Sequence, residues 1–399
     1  MNCNFDQITN RRQTGSVKWD FNQRTFGRED VLPLWVADMD FQAPEAVIEA
    51  LVNRAQHGIY GYSNGMESYY KAIIDWMQER YGWEIQRDWI AFSPGVVPAL
   101  NELVRSLTEP KDKILIQSPV YPPFFLAIQN HGREVVNSEL TLKNGRYTMD
   151  FADLEEKFAS GVKMMILCNP HNPVGRVWER EELERLGQLC LAHNVLVVSD
   201  EIHGDLIYEG YHHIPFATLS PELAAQSIIC TAPSKTFNLA GLQTSNLIIP
   251  NAKIRQAFQA SFNLTGIHNP NLFGITALEA AYRYGRDWLD QLMHYLKGNV
   301  EFLMSFLDQE LPQIQAIQPE GTYLVWLDFR SLGMESKALQ KFLIHKAGVG
   351  LNAGYLFGPG GEGFARLNLG CPRSTLAEGL QRIKTAVKGL DDCAKTSSK

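Results

Sequence analysis

The chain has 399 residues, 45% hydrophobic, 11% aromatic and 20% charged, a globular composition that argues against disorder, collagen-like repeats and coiled coil. Its 44 acidic and 37 basic residues leave a formal net charge of −7, which disfavours non-specific binding to polyanions such as nucleic acid. No apolar run approaches the ~18 residues that span a membrane. The start, MNCNFDQITNRRQTG, has no apolar stretch behind its basic residues, so a soluble, cytoplasmic protein is expected.

Along the chain, residues 1–44 include LPLWVADMDF (Leu32–Phe41) and are expected to join a smaller C-terminal unit. Residues 45–285 read as one large doubly wound, mostly parallel α/β domain. Within it, Ser93-Pro94-Gly95-Val96-Val97-Pro98 leads into the helical pattern ALNELVRSL, and the strand KILIQ runs into SPVYPPF with Tyr121. KMMILC precedes a Pro/Gly loop and the amphipathic segment EREELERLGQLCLAHN; VLVVSDEIHGDLIY, QSIICTAPSKTFNLAG and SNLIIP follow. Continuous apolar runs separated by helices are what a parallel sheet covered on both faces requires. From Asp287 the pattern changes to a long helix, then GTYLVWLDF, a helix around Lys337–Lys346, a Gly-rich loop, FARLNLG and a final helix. That mixture predicts a smaller α+β domain over 286–391, with 392–399 a flexible polar tail.

Three apolar runs end in polar clusters. KMMILC leads into Asn169-Pro170-His171-Asn172-Pro173-Val174-Gly175, VLVVS into Asp200-Glu201-Ile202-His203, and SIIC into Thr231-Ala232-Pro233-Ser234-Lys235. Ligands of open parallel sheets bind beyond the carboxyl ends of the strands, so the three clusters would face one crevice. A lysine can form a Schiff base with an aldehyde cofactor, and a carboxylate can keep a pyridine nitrogen protonated, which makes the ring an electron sink. A phosphate on that cofactor needs backbone N–H groups at a helix start, which the Gly95-Val96 segment could supply. Tyr121 offers an aromatic ring to stack on a pyridine.

Other features carry less. Cys3, Cys168, Cys190, Cys230, Cys371 and Cys393 form no C-x-x-C pair, and Cys168 and Cys230 sit in apolar runs as small buried hydrophobes. Asp200-Glu201-x-His203 lacks a partnering cluster for a metal site, and Glu201 reads as a structural pairing partner. Gly358 to Gly363 satisfies G-x-G-x-x-G, but a strand-like alternation follows it rather than a helix, so it reads as a turn-rich loop near the substrate mouth. His212, His213 and Trp35 have no partner that the sequence identifies.

Together, NPHNPVG, the Ser-Lys of APSKTFNLAG and ARLNLG resemble, in order and spacing, the motifs of the fold-type I pyridoxal-phosphate enzymes of the class I/II aminotransferase superfamily. The resemblance covers nearly the whole chain. It is nearest to the MalY/PatB type of cystathionine β-lyase, through LPLWVADMDF, through His203 where aminotransferases usually place a tyrosine, and through Gln243 where many carry an arginine for the cofactor phosphate. What it implies is a pyridoxal 5'-phosphate-dependent carbon–sulfur lyase that cleaves L-cystathionine or related S-substituted cysteines to thiol, pyruvate and ammonia. An aminotransferase on the same scaffold, or an added transcription-regulatory role with a protein partner, are the alternatives it leaves. By the same resemblance Lys235 carries the cofactor and serves as base, and Asp200 pairs with the pyridine N–H. Asn172 binds the ring's phenolic oxygen beside His203 and also meets the substrate, Tyr121 stacks on the ring, and Gly95, Val96 and Ser234 hold the phosphate with Thr231. Arg366 would take the substrate α-carboxylate bidentately. The family also shares sites across a homodimer through a tyrosine, for which GIYGYS offers Tyr60 and Tyr62; Tyr62 is preferred.

Overall fold

The computed structural model describes the backbone of residues 3–397 and the side chains of residues 3–390. Its main sheet holds seven strands: β1 (Ile90–Ser93), β2 (Lys113–Ile116), β3 (Glu134–Asn137), β4 (Val162–Cys168), β5 (Leu196–Asp200), β6 (Ser227–Thr231) and β7 (Ser245–Ile248). They lie in the order β1-β7-β6-β5-β4-β2-β3. β7 runs antiparallel to both of its neighbours, whereas the pairings from β6 through β5, β4 and β2 to β3 are parallel. The carboxyl ends of β1, β2, β4, β5 and β6 therefore share one edge of the sheet.

The apolar runs are continuous because both faces are covered. Leu115, Met165, Leu167, Val197 and Ile229 belong to one buried cluster, while Ile114, Ile116, Met164, Ile166, Val198 and Ile228 belong to another. Alternating residues of each strand thus enter different cores, and the polar residues buried in the sheet, Ser93, Ser199, Ser227, Ser245 and Asn246 among them, sit near strand ends or on β7. Helix α1 (Val96–Leu107) packs on the second cluster through Leu100, Leu103 and Val104. Helix α2 (Arg180–Ala192) packs on the first through Leu183 and Leu186. α2 starts with a reciprocal capping box between Glu179 and Glu182, which satisfies backbone donors that the first turn leaves open.

The long helix expected from Asp287 is α3 (Arg286–Glu310). A second sheet follows, of β8 (Gln315–Ala316), β9 (Leu324–Asp328), β10 (Asn352–Ala353) and β11 (Phe364–Asn368), antiparallel throughout in the order β8-β9-β11-β10. In the N-terminal segment, Leu32–Pro33 pairs in parallel with Val349–Gly350 as a separate two-stranded sheet, and the Leu34 carbonyl accepts the Asn368 N–H of β11 at 3.0 Å. The last helix, α4, spans Arg373–Ser397 and so runs through most of the segment expected to fray. A polar composition permits a helix that already has a packed N-terminal half to extend. Side chains beyond residue 390 lie outside the described residues, Cys393 among them.

Candidate active site

Asp200 ends β5 and is 6% exposed, receiving the Ile202 N–H at 3.2 Å. Burial pushes its carboxyl up to about 7, only partly offset by that hydrogen bond and by the charge of Lys235. Lys235 lies one strand over, on the short helical turn Pro233–Thr236 after β6. Part of its side chain remains reached by solvent, but its ammonium lies deep in the cleft. There burial, and next the charge of Arg366, pull it down to about 8 against the opposing pull of Asp38 and Asp200. His203 is buried and held well below its ordinary value by burial and by the charges of Lys235 and Arg366, so its ring is neutral.

Arg366 comes from β11 of the other sheet, where the register sets it opposite Trp326 on one side and Asn352 on the other. It is 4% exposed. Its guanidinium donates to Asn172 Oδ1 at 2.9 Å, to Asn352 Oδ1 at 2.7 Å and to the Trp35 carbonyl at 3.1 Å, and it stacks over Phe357 with its carbon 5.1 Å from the ring centre. These partners are all neutral, and burial pulls the guanidinium down to about 10. Tyr121 follows β2 and lies within the field of Arg366 and Asp200; burial pushes its hydroxyl up. The glycine-rich loop between β10 and β11 leads into a strand, and Phe357 at its start accepts the Val120 N–H at 2.9 Å, beside Tyr121.

At the other end of the cleft, Gly95 in extended backbone precedes α1, whose start has neither a side-chain cap nor an acidic residue in its first turn. Such an end suits an anion. Thr231 and Ser93 lie close by, since β7 pairs Asn246 with Thr231 and Ser245 with Ser93, and Ser234 is three residues on from Thr231. Tyr62 does not join the cluster within one chain: it is fully exposed. Tyr60 is spent internally, its hydroxyl donating to the Ala55 carbonyl at 2.6 Å.

Two contributors have no signature in the sequence. The Ala37 carbonyl accepts from Lys235 Nζ at 2.6 Å and from the Tyr323 hydroxyl at 2.9 Å. Tyr323 is fully buried and meets the His203 ring edge-on at 6.0 Å between centres. A main-chain acceptor has no residue-type signature, and GTYLVWLDF reads as an ordinary core strand. His213, whose partner the sequence does not identify, pairs with Glu201 at 2.8 Å. Glu201 also accepts from the Ser199 hydroxyl and the Phe216 N–H, so it is a structural carboxylate behind β5.

The residues present fit pyridoxal phosphate. Among the described residues, Lys235, Asp200 and Arg366 hydrogen-bond to neutral groups alone, a costly state for buried charges that a bound ligand relieves. His203 Nδ1 and Arg366 Nε are buried without partners. An amine that is partly neutral near physiological pH can attack an aldehyde, and a carboxyl needing a cation suits a pyridine N–H.

The family model "Aminotransferase class I and II" matches residues 29–383. Cystathionine beta-lyase PatB of Bacillus subtilis is 49% identical over 385 residues, covering 96% of this chain and all of the relative. Among solved structures, cystalysin from Treponema denticola, which contains a pyridoxal 5'-phosphate cofactor, superposes with a TM-score of 0.95 at 41% identity, over 98% of this chain and 100% of that one. The PLP-bound C-S lyase from Staphylococcus hominis superposes with a TM-score of 0.91 at 38% identity, over 97% and 98%.

Proposed function

The chain belongs to the class I and II aminotransferase family, and from that premise we propose that it is a pyridoxal-phosphate-dependent carbon–sulfur β-lyase acting on L-cystathionine or related S-substituted cysteines. Its products are a thiol, pyruvate and ammonia, with uptake of water. The reading is supported most directly by three ionisable side chains, Lys235, Asp200 and Arg366, gathered in one cleft with only neutral hydrogen-bond partners. The bound cofactor supplies an electron sink for the carbanion at the substrate's Cα. Lys235 anchors the cofactor and then, as a neutral amine, takes the Cα proton. Asp200 holds a proton at the pyridine nitrogen. Asn172 and His203 would hold the ring's phenolic oxygen, and Tyr121 would offer its ring to the cofactor's. Gly95, Val96, Thr231 and Ser234 bind the phosphate. Arg366 grips the substrate α-carboxylate, which turns the Cα–H bond toward Lys235.

A homodimer with shared sites completes the proposal. The exposed run Ile59, Tyr60, Tyr62 and Met66, with Leu264 and Ile267, is the apolar surface that a second copy would cover, and the free Tyr62 is the residue offered to its site. A cytoplasmic location agrees with the free cysteines 3, 168, 190, 230 and 371. No helix among the described residues is long and apolar enough to cross a membrane. We divide the chain into a cofactor domain over 45–285 and a smaller domain built from 286–391 with the N-terminal segment.

The test is to mix the holoenzyme with L-cystathionine and follow thiol and pyruvate together. Equal amounts of both are expected. Amino transfer to a keto acid with neither product would overturn the lyase reading in favour of the transamination for which the family is named.

A further inference from the structure

We propose that Arg11, Lys18, Asp38 and Asp40 form a positioning cluster for Lys235, which holds the Ala37 carbonyl against its amine and balances the charge the amine meets. This rests on the functional reading above, in which Lys235 carries the cofactor.

The cluster is built as a closed quartet. Lys18 is fully buried, with Nζ 2.7 Å from Asp40 Oδ2 and 3.9 Å from Asp38. Arg11 grips both Asp38 oxygens, at 2.9 and 2.8 Å, and reaches Asp40 at 2.8 Å. Trp19 Nε1 donates to Asp40 at 2.8 Å. Two cations thus face two carboxylates, of which Asp40, 5% exposed, would be strongly disfavoured by burial if left alone.

The quartet bears on the strap that carries Ala37. Asp38 directly follows Ala37, and Arg11 also donates to the Met39 carbonyl at 3.1 Å. Two asparagines stitch the same strap to the catalytic elements. Asn238, three residues after Lys235, receives the Met39 N–H and donates to the Met39 and Phe41 carbonyls, each at 2.9 Å. Asn368, two residues after Arg366, donates to the Val36 and Asp38 carbonyls at 2.5 and 2.6 Å. The Ala37 carbonyl is therefore fixed in space, and an amine that donates one N–H to it has its lone pair directed away from the strap.

The groups that face Lys235 are Asp38 on the strap, Asp200 at the end of β5, His203 after it, Arg366 on β11 and Tyr323 before β9, with Tyr121 facing Arg366 and Asp200. Asp38 draws Lys235 up and Arg366 draws it down. Arg11 neutralises much of Asp38, so removing either member of that pair unbalances the field in opposite senses.

The experiment is a pH titration of the visible absorption of the lysine-bound cofactor in holoenzyme variants. Asp38→Asn leaves the two cations Arg11 and Lys18 facing Asp40 alone and moves the transition to lower pH. Arg11→Gln frees the Asp38 charge and moves it to higher pH. Each shift is expected to be about half a pH unit or more, and Arg11→Lys to return it toward wild type. General loosening of the strap would move both variants the same way, so shifts of one sign, or no shift, overturn the proposal. If Asp38→Asn does not fold, Arg11→Gln decides alone, its guanidinium being partly exposed: an upward shift supports the cluster and an unmoved transition overturns it. Wild-type protein that shows no cofactor absorption with added pyridoxal phosphate would overturn the functional reading itself, and the inference with it.

Discussion

Asn172 and Arg366, 194 positions apart, meet through a 2.9 Å hydrogen bond from the guanidinium to the carboxamide oxygen. The contact ties the loop after β4 to β11, and it orients a buried guanidinium whose hydrogen-bond partners in the protein are all neutral. That is the state of a receptor for a carboxylate. Arg366→Lys keeps the charge but loses the planar fork, and is expected to lower kcat/KM about a hundredfold, chiefly through KM, while the cofactor's visible absorption persists. Steady-state kinetics beside an absorption spectrum check this; unchanged KM would remove Arg366 from the carboxylate site.

Asp200 makes a prediction about pH. In cofactor-free protein its carboxyl titrates at about 7 rather than the ordinary 3.8. Between those values the folded state holds a proton that the unfolded chain has released. Its contribution to stability is therefore complete at and below the lower value and lost as pH rises through the upper one. Asp200→Asn removes the dependence. The cofactor-free variant is expected to melt above wild type at pH 8, with the gap narrowing toward pH 4. In the holoenzyme the same change should cost about a hundredfold or more in kcat, because an amide does not hold the pyridine proton. A melting gap that is constant with pH would contradict the assignment of that titration to Asp200.

For Tyr62 the test is complementation between two inactive variants. Lys235→Ala removes the anchor within one chain, and Tyr62→Ala removes the residue offered to the neighbour. Mixed in equal amounts with free exchange, half of the dimers are hybrids, each with one intact site, so about a quarter of wild-type activity should return. No recovery in a preparation that sedimentation shows to be exchanged would place Tyr62 outside the shared site.

Glu201 stands next to Asp200 in the chain yet faces the opposite way, toward His213, Ser199 and Phe216. Glu201→Gln keeps its volume but cannot accept all three hydrogen bonds on carboxylate oxygens. The expected result is a loss of about 1–3 kcal/mol in denaturant unfolding, with KM for the substrate unchanged. A rise in KM at unchanged stability would reassign it to the site.

Much of this was already legible in the linear sequence, for a physical reason. A strand buried on both faces is apolar along most of its length, so KMMILC, VLVVS and SIIC announced a covered parallel sheet. Groups that bind at such a sheet must emerge where its strands end, which located Asn172, Asp200 and Lys235. The tertiary structure alone decided what depends on strand order and on contacts between distant segments. It set β7 antiparallel, extended the final helix toward Ser397, put His213 on Glu201, and brought the Ala37 carbonyl and Tyr323 to Lys235 from 198 positions before it and 88 after. Hydrophobic periodicity reports which face of an element is buried but not which other element covers it, and a main-chain carbonyl looks the same in every residue.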